Sequence, residues 1–240
     1  MLGYIRSVRD ALRASKLSDI PPWQRAVLAE VKPYTMAGVA RTLSTISVVE
    51  YIVKQGIQGA VVECGVWRGG QMMAAALSLL ELKAERDIFL FDTFSGMTEP
   101  GVSDLDHSGA PAAPVYMDSL GRPIGSRWCE AGIDDVRRNL NSTGYPSSRI
   151  HYVQGDVEET IPRAAPEQIA YLRLDTDWYS STAHELEHLF PRVSQHGVVT
   201  IDDYGHWLGA RQATDEYLAK NRVRAMMHRI DYSARQFVKV

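Results

Sequence analysis

The densest chemistry in the sequence lies in two acidic groups, Asp175-Thr176-Asp177 and Asp202-Asp203, each closing an apolar run (IAYLRL and VVTI). If these runs are neighbouring strands of one sheet, about 4.8 Å apart, four carboxylates converge at one sheet edge. Such carboxylates repel one another unless a cation neutralises them. Mg²⁺ accepts oxygen ligands in octahedral geometry and keeps several waters, leaving positions for substrate hydroxyls. A hydroxyl held there becomes more acidic, and a nearby carboxylate can take its proton. Three carboxylates suffice for the metal and the fourth is a candidate base. Alternation puts Asp175 and Asp177 on one side of an extended strand, and Asp202 and Asp203 on opposite sides unless the chain turns, which Gly205 permits. The competing account makes all of them helix caps and turn residues.

A second constellation, Glu63-Cys64-Gly65-Val66-Trp67-Arg68-Gly69-Gly70, sits where a short apolar strand gives way to a helix. The glycines Gly65 and Gly69 let backbone approach a ligand. Their spacing is neither the GxGxxG dinucleotide fingerprint nor a Walker A loop, so phosphate cradling is not indicated. Asp92, ending the next strand, can accept bonds from ribose hydroxyls. Glu63 suits an amino group, and a carboxylate beside a cation matches the ammonium and sulfonium of S-adenosylmethionine. Asp156 can bond an adenine amino group or cap the helix that follows it.

The histidines offer less. His184-Glu185-Leu186-Glu187-His188 matches HExxH, the zinc-protease pattern, but Pro191 stands where the metzincin glycine belongs. A solvated helix face is the better reading. His206, just past Asp203, is a candidate for substrate contact or base. Trp178, Tyr179, Tyr204 and Trp207 flank the acids and suit either ring stacking or simple packing.

Strands expected at 59–65, 88–92, 150–156, 169–177, 197–203, 223–229 and 235–240 alternate with helices at 38–54, 70–84, 131–140, 182–193 and 209–221. That alternation predicts a doubly wound α/β sheet. Residues 1–58 read as a helical extension whose first 16 residues form an amphipathic surface or oligomer-contact helix. Residues 59–240 read as the main domain. Residues 99–128 are rich in Pro and Gly without periodicity and read as a mobile substrate loop. The net charge of −3 argues against a nucleic-acid binder. Two cysteines without a CxxC pair suggest neither disulfide scaffold nor zinc, and fit a cytoplasmic setting. No membrane span or signal peptide is expected.

The segments YTM (34–36), VVECGVWRGG (61–70), FDTFSG (91–96), LRLDTDWYSST (172–182) and VVTIDDYGHWLGARQATDEY (198–217) resemble the macrocin O-methyltransferase family. The likeness runs from about Tyr34 to the C-terminus. It implies a class I methyltransferase fold, Rossmann-like and α/β, with seven strands of which the last is antiparallel. It implies S-adenosylmethionine as donor, Mg²⁺ as metal, and sugar hydroxyls of natural products or glycolipids as acceptors. Carried over, Asp175, Asp202 and Asp203 match metal ligands and Asp177 the general base, with His206 as its rival. Glu63, Asp92, Ser95 and Asp156 match donor-binding positions, and Thr35 closes over the donor's methionine end. Members form dimers or larger homo-oligomers. Rival readings are a cation-dependent catechol methyltransferase, a metal-dependent glycosyltransferase, a zinc hydrolase on His184 and His188, and a donor-binding scaffold without activity.

Overall fold

The computed structural model describes residues 18–240; the amphipathic helix expected over the first 16 residues lies outside them. Seven strands form one sheet: β1 (Ala60–Cys64), β2 (Ile88–Asp92), β3 (Ile150–Gln154), β4 (Ile169–Leu174), β5 (Val193–Ile201), β6 (His228–Arg229) and β7 (Arg235–Val238). Their order is β3-β2-β1-β4-β5-β7-β6. The first five run parallel, and β7 runs antiparallel to both its neighbours. This is the class I methyltransferase arrangement, with the order reversing between β1 and β4. Ligands of open α/β sheets bind beyond the carboxyl ends of strands at such a reversal.

Helices α1 (Pro22–Val31), α2 (Val39–Lys54), α3 (Gly70–Glu81) and α5 (Ile133–Ser142) share one apolar core with Val61, Ile88, Leu90 and Tyr171 of the sheet. Helices α6 (Val157–Thr160), α7 (Tyr179–Leu189) and α8 (Leu208–Lys220) cover the other face, over Val62, Cys64, Leu172, Leu174, Val199 and Ile201. Successive strand residues thus serve opposite cores, as alternation requires. Strands buried on both faces read as continuous apolar runs, which made β1, β2 and β4 visible in the sequence.

Four segments differ from expectation. β4 stops at Leu174 rather than 177, because Asp177 has φ +70° and cannot continue a strand. The strand expected at 223–229 is reduced to His228–Arg229, and β5 begins earlier, at Val193. Residues 99–128 hold a helix, α4 (Ala113–Leu120), that Pro114 at its start and glycines around it obscured. The segment is also tied down. Asp104, buried, accepts bonds from the Tyr179 amide (2.8 Å) and the Gly101 amide (2.7 Å). Asp106 bridges to Trp207, and Trp128 packs against Trp178 and Trp207 with ring centroids 5.7 and 6.0 Å away.

Candidate active site

A cleft of about 1090 Å³, its open mouth included, lies over the carboxyl ends of β1, β2 and β4. Thr35, Glu63, Gly65, Asp92 and Asp156 line one part, and Asp175, Asp177, Asp202 and Asp203 the other. Ser95, Gly69 and His206 do not line it.

Local backbone demands shape the first part. Gly65 has φ +79°, and a side chain there would collide with the Asp175 carbonyl, so the tips of β1 and β4 can meet only over a glycine. Gly69 serves packing instead: a Cβ would lie 2.6 Å from Leu140. Gly70 lies under the Tyr34 carbonyl, so the Tyr34-Thr35 strap crosses the start of α3 closely. Thr35 Oγ1 accepts from the Ala37 amide (3.0 Å) and from Gln71 Nε2 (2.9 Å), which fixes the strap.

The Asp92 carboxylate braces the glycine turn. Its Oδ2 accepts from the Val66 amide (2.6 Å) and more weakly from Trp67 (3.3 Å), while Oδ1 accepts from Phe94 (2.6 Å). Burial nonetheless raises its pKa above the ordinary carboxylate value. Asp156 caps α6, its Oδ1 accepting from the Glu158 amide (2.8 Å), as the competing sequence reading held. Its other oxygen accepts no hydrogen bond from the described residues. The exposed Ser95 is held away from the cleft.

Glu63 is the most informative residue here. It is 1% exposed. Its Oε1 accepts from Arg173 (2.8 Å), whereas its buried Oε2 has no hydrogen-bond partner. An unpaired buried carboxylate oxygen is costly and is expected to meet a donor. Burial pushes its pKa well up, against the pull of Arg173. A ligand ammonium answers that need, so the residues present fit the methionine end of S-adenosylmethionine.

The second part divides into paired and unpaired acids. Arg173, fully buried in β4, holds Glu63, Asp175 and Asp202. Arg41 of α2 also holds Asp202, and its Nε lies 3.0 Å from Asp231. Asp202 is therefore clasped by two guanidinium groups. Asp203, one residue on, points to the other side and meets Asp177 and Asp175. Carboxylate oxygens of Asp175, Asp177 and Asp203 all lie within 4.8 Å of one another. Burial and mutual repulsion raise all three pKa values, Asp177 to about 7. The trio is thus short of positive charge, and its all-oxygen donor set suits a hard divalent cation. It differs from the trio expected from sequence by exchanging Asp202 for Asp177. Alternation along β5 sends Asp202 to the arginines, and the left-handed turn sends Asp177 inward.

His206 stands outside the cleft, packed against His107, Trp207 and Tyr232 with ring centroids 5.4, 4.7 and 5.9 Å away. Burial lowers its pKa. His184 and His188 share one helix face with ring centroids 4.4 Å apart, but among the described residues no third ligand joins them. His184 Nε2 bonds the Ile161 carbonyl (3.0 Å), while Glu185 is buried beneath the cleft. Both cysteines are free. Arg41 and Arg173 were missed in the sequence. The signal for Arg173 was a lone charge inside the apolar run IAYLRL, which requires buried partners.

A family model described as macrocin-O-methyltransferase (TylF) matches residues 23–239. The chain belongs to this family. It is an S-adenosylmethionine-dependent O-methyltransferase. Among its relatives, demethyldecarbamoylnovobiocin O-methyltransferase of Streptomyces niveus is 30% identical over 78% of this chain and 68% of its own length. Mycinamicin III 3''-O-methyltransferase of Micromonospora griseorubida is 30% identical over 82% of this chain and 75% of its own. The solved O-methyltransferase NovP matches with a TM-score of 0.75 and 28% identity, over 86% of this chain and 82% of that one. Among the described residues, no helix of this methyltransferase is long and apolar enough to cross a membrane.

Proposed function

We propose that this methyltransferase transfers the donor's methyl group to a sugar hydroxyl of a glycosylated natural product, with Mg²⁺ held by Asp175, Asp177 and Asp203. The observation that carries this reading is a trio of under-neutralised carboxylates on the same cleft as the unpaired Glu63 oxygen. Relatives named for sugar positions, including the 8-demethyl-8-(2,3-dimethoxy-alpha-L-rhamnosyl)-tetracenomycin-C 4'-O-methyltransferase of Streptomyces olivaceus (32% identical over 71% of this chain and 62% of its own), support the acceptor class.

Each residue's task follows from its position. Glu63 receives the donor ammonium, and the Thr35 strap closes the methionine end. Asp92 holds the glycine turn in shape and offers its remaining lone pairs to the ribose. Asp156, already a cap, has one oxygen left for the adenine end. The cation, when bound, supplies Lewis-acid polarisation of an acceptor hydroxyl. Asp177 would help hold such a cation and is the carboxylate placed to take the acceptor's proton. Arg173 keeps Asp175 and Glu63 in register, so the two parts of the cleft are mutually positioned. Residues 99–128, anchored by Asp104 and Trp128, lie beside the cleft between the lining residues Thr98 and Cys129.

The test is methyl transfer to a panel of 6-deoxyhexose glycosides with vicinal hydroxyls, with and without Mg²⁺, beside a catechol. Mg²⁺-dependent methylation of a glycoside is expected. Methylation of the catechol alone, or undiminished turnover in chelator, overturns the reading.

A further inference from the structure

The HExxH-like segment contributes a residue that neither the donor site nor the carboxylate trio accounts for. Glu185 is completely buried in the second turn of α7. Its Oε1 accepts from Thr176 Oγ1 at 3.0 Å, and Ser181 Oγ lies 2.8 Å from the same hydroxyl. Its Oε2 is buried without a partner of hydrogen-bond geometry, beside the Cys64 thiol at the tip of β1. Burial raises its pKa to about 8, so at neutral pH the group is largely an uncharged carboxylic acid.

Thr176 is the residue between Asp175 and Asp177. The Trp178 amide donates to the Thr176 carbonyl at 2.8 Å, closing a three-residue turn with Asp177 at its centre and φ +70°. That is the rare, strained hand of γ-turn, and a non-glycine residue stays there only if its surroundings hold it. Asp175 is fixed by its amide bond to the Cys64 carbonyl (2.8 Å), and Trp178 by its indole bond to the Thr98 carbonyl (3.1 Å). Glu185 touches the side chain between these two anchors and lies under the turn that aims Asp177 into the cleft.

We propose that Glu185 is a positioning residue: through Thr176 it holds the strained turn at Asp177 and so sets the geometry of the cation-binding trio. This rests on the reading of that trio as a cation site. A carboxamide keeps the acceptor oxygen and the shape, so Glu185→Gln preserves the interaction. Glu185→Leu keeps the volume and removes the acceptor. Thr176→Val removes the donor with little change in shape.

The experiment measures Mn²⁺ binding by electron paramagnetic resonance, S-adenosylhomocysteine binding by calorimetry without metal, and kcat with KM, in the full chain. Glu185→Leu and Thr176→Val are each expected to weaken Mn²⁺ binding tenfold or more and to lower kcat, with S-adenosylhomocysteine binding changed less than twofold. Their double variant is expected to be no worse than either alone, because both break one contact. Glu185→Gln is expected to restore Mn²⁺ binding to within threefold of wild type. Wild-type Mn²⁺ affinity in Thr176→Val, which decides the matter if Glu185→Leu does not fold, overturns the inference. So does a Gln variant as weak as the Leu variant. A wild-type chain that binds no Mn²⁺ overturns the cation site itself and this inference with it. Normal wild-type binding with unaffected variants overturns this inference alone.

Discussion

The two sides of the acidic sheet edge solve one electrostatic problem differently. Toward α2, Glu63 and Asp202 are balanced by Arg173 and Arg41, and two buried atoms of the network lack a hydrogen bond, one Glu63 oxygen and Arg41 Nε. Toward α7, Asp177 and Asp203 meet each other and Asp175, with no guanidinium of their own. The first side, apart from the Glu63 oxygen, is balanced among the described residues and serves folding. The second is not balanced among the described residues, and under the proposed function it takes a cation. Identical residue types one position apart, Asp202 and Asp203, therefore have opposite expected effects when neutralised.

The comparison is broken most severely at Arg173. Replacing it by Leu leaves the buried Glu63 and the partly exposed Asp175 without their counter-ion and Asp202 with Arg41 alone, a loss on the order of 3–5 kcal/mol. Arg173→Leu is expected to lose cooperative thermal unfolding at pH 7. Recovery of the melt at pH 5, where carboxylates take up protons, would tie the loss to charge rather than to packing.

Asp202 and Asp203 come next. Asp202→Asn removes one anionic partner from each of two guanidinium groups and is expected to lower stability by about 2–3 kcal/mol in urea unfolding. Asp203→Asn relieves repulsion and is expected to leave the metal-free protein as stable as wild type or more so, while reducing turnover at least about a hundredfold. Equal destabilisation by both would erase the distinction between the sides.

How much of this was legible depended on whether a signal was local. The parallel strands announced themselves as apolar runs, and the acids at their ends marked the site. Alternation offered the divergence of Asp202 and Asp203 as one outcome, with a turn at Gly205 as the other, and both were expected on the metal. The turn at Asp177 was not legible, because its left-handed backbone is imposed by neighbours remote in sequence. Arg41 was hidden for the same reason: it meets Asp202 across 161 residues. Helix α4 was masked by proline and glycine at its borders, and Glu185 by a motif that suggested a different chemistry.

A smaller effect concerns pH. Glu185 binds its proton up to about pH 8 when folded, but only to about 4.5 when unfolded. The folded state thus holds more protons between those values, and stability falls as pH rises through that window. Glu185→Gln has no proton to lose, so its melting temperature is expected to fall less than that of wild type between pH 5 and 8. Parallel pH curves would show that Glu185 titrates normally.

The smallest effect is at the surface. Arg68 Nε lies 2.7 Å from Asp135, whose pKa that hydrogen bond lowers. The pair is partly exposed, so Asp135→Asn is expected to cost no more than about 1 kcal/mol at pH 7. That cost disappears as pH falls through the folded pKa, because wild type then loses the charge too. A larger loss in urea unfolding would make this pair part of the cleft's framework.

The most direct test is thermal unfolding of wild type, Asp202→Asn and Asp203→Asn with and without Mg²⁺ at pH 7. A cation that binds the folded trio at about ten times its Kd stabilises by roughly 1.4 kcal/mol, or about 3–6 °C for a chain of this size. Wild type and Asp202→Asn are expected to show that rise, and Asp203→Asn to show none. No rise in wild type, or the same rise in Asp203→Asn, would contradict the division between a side completed by arginines and a side completed by a metal.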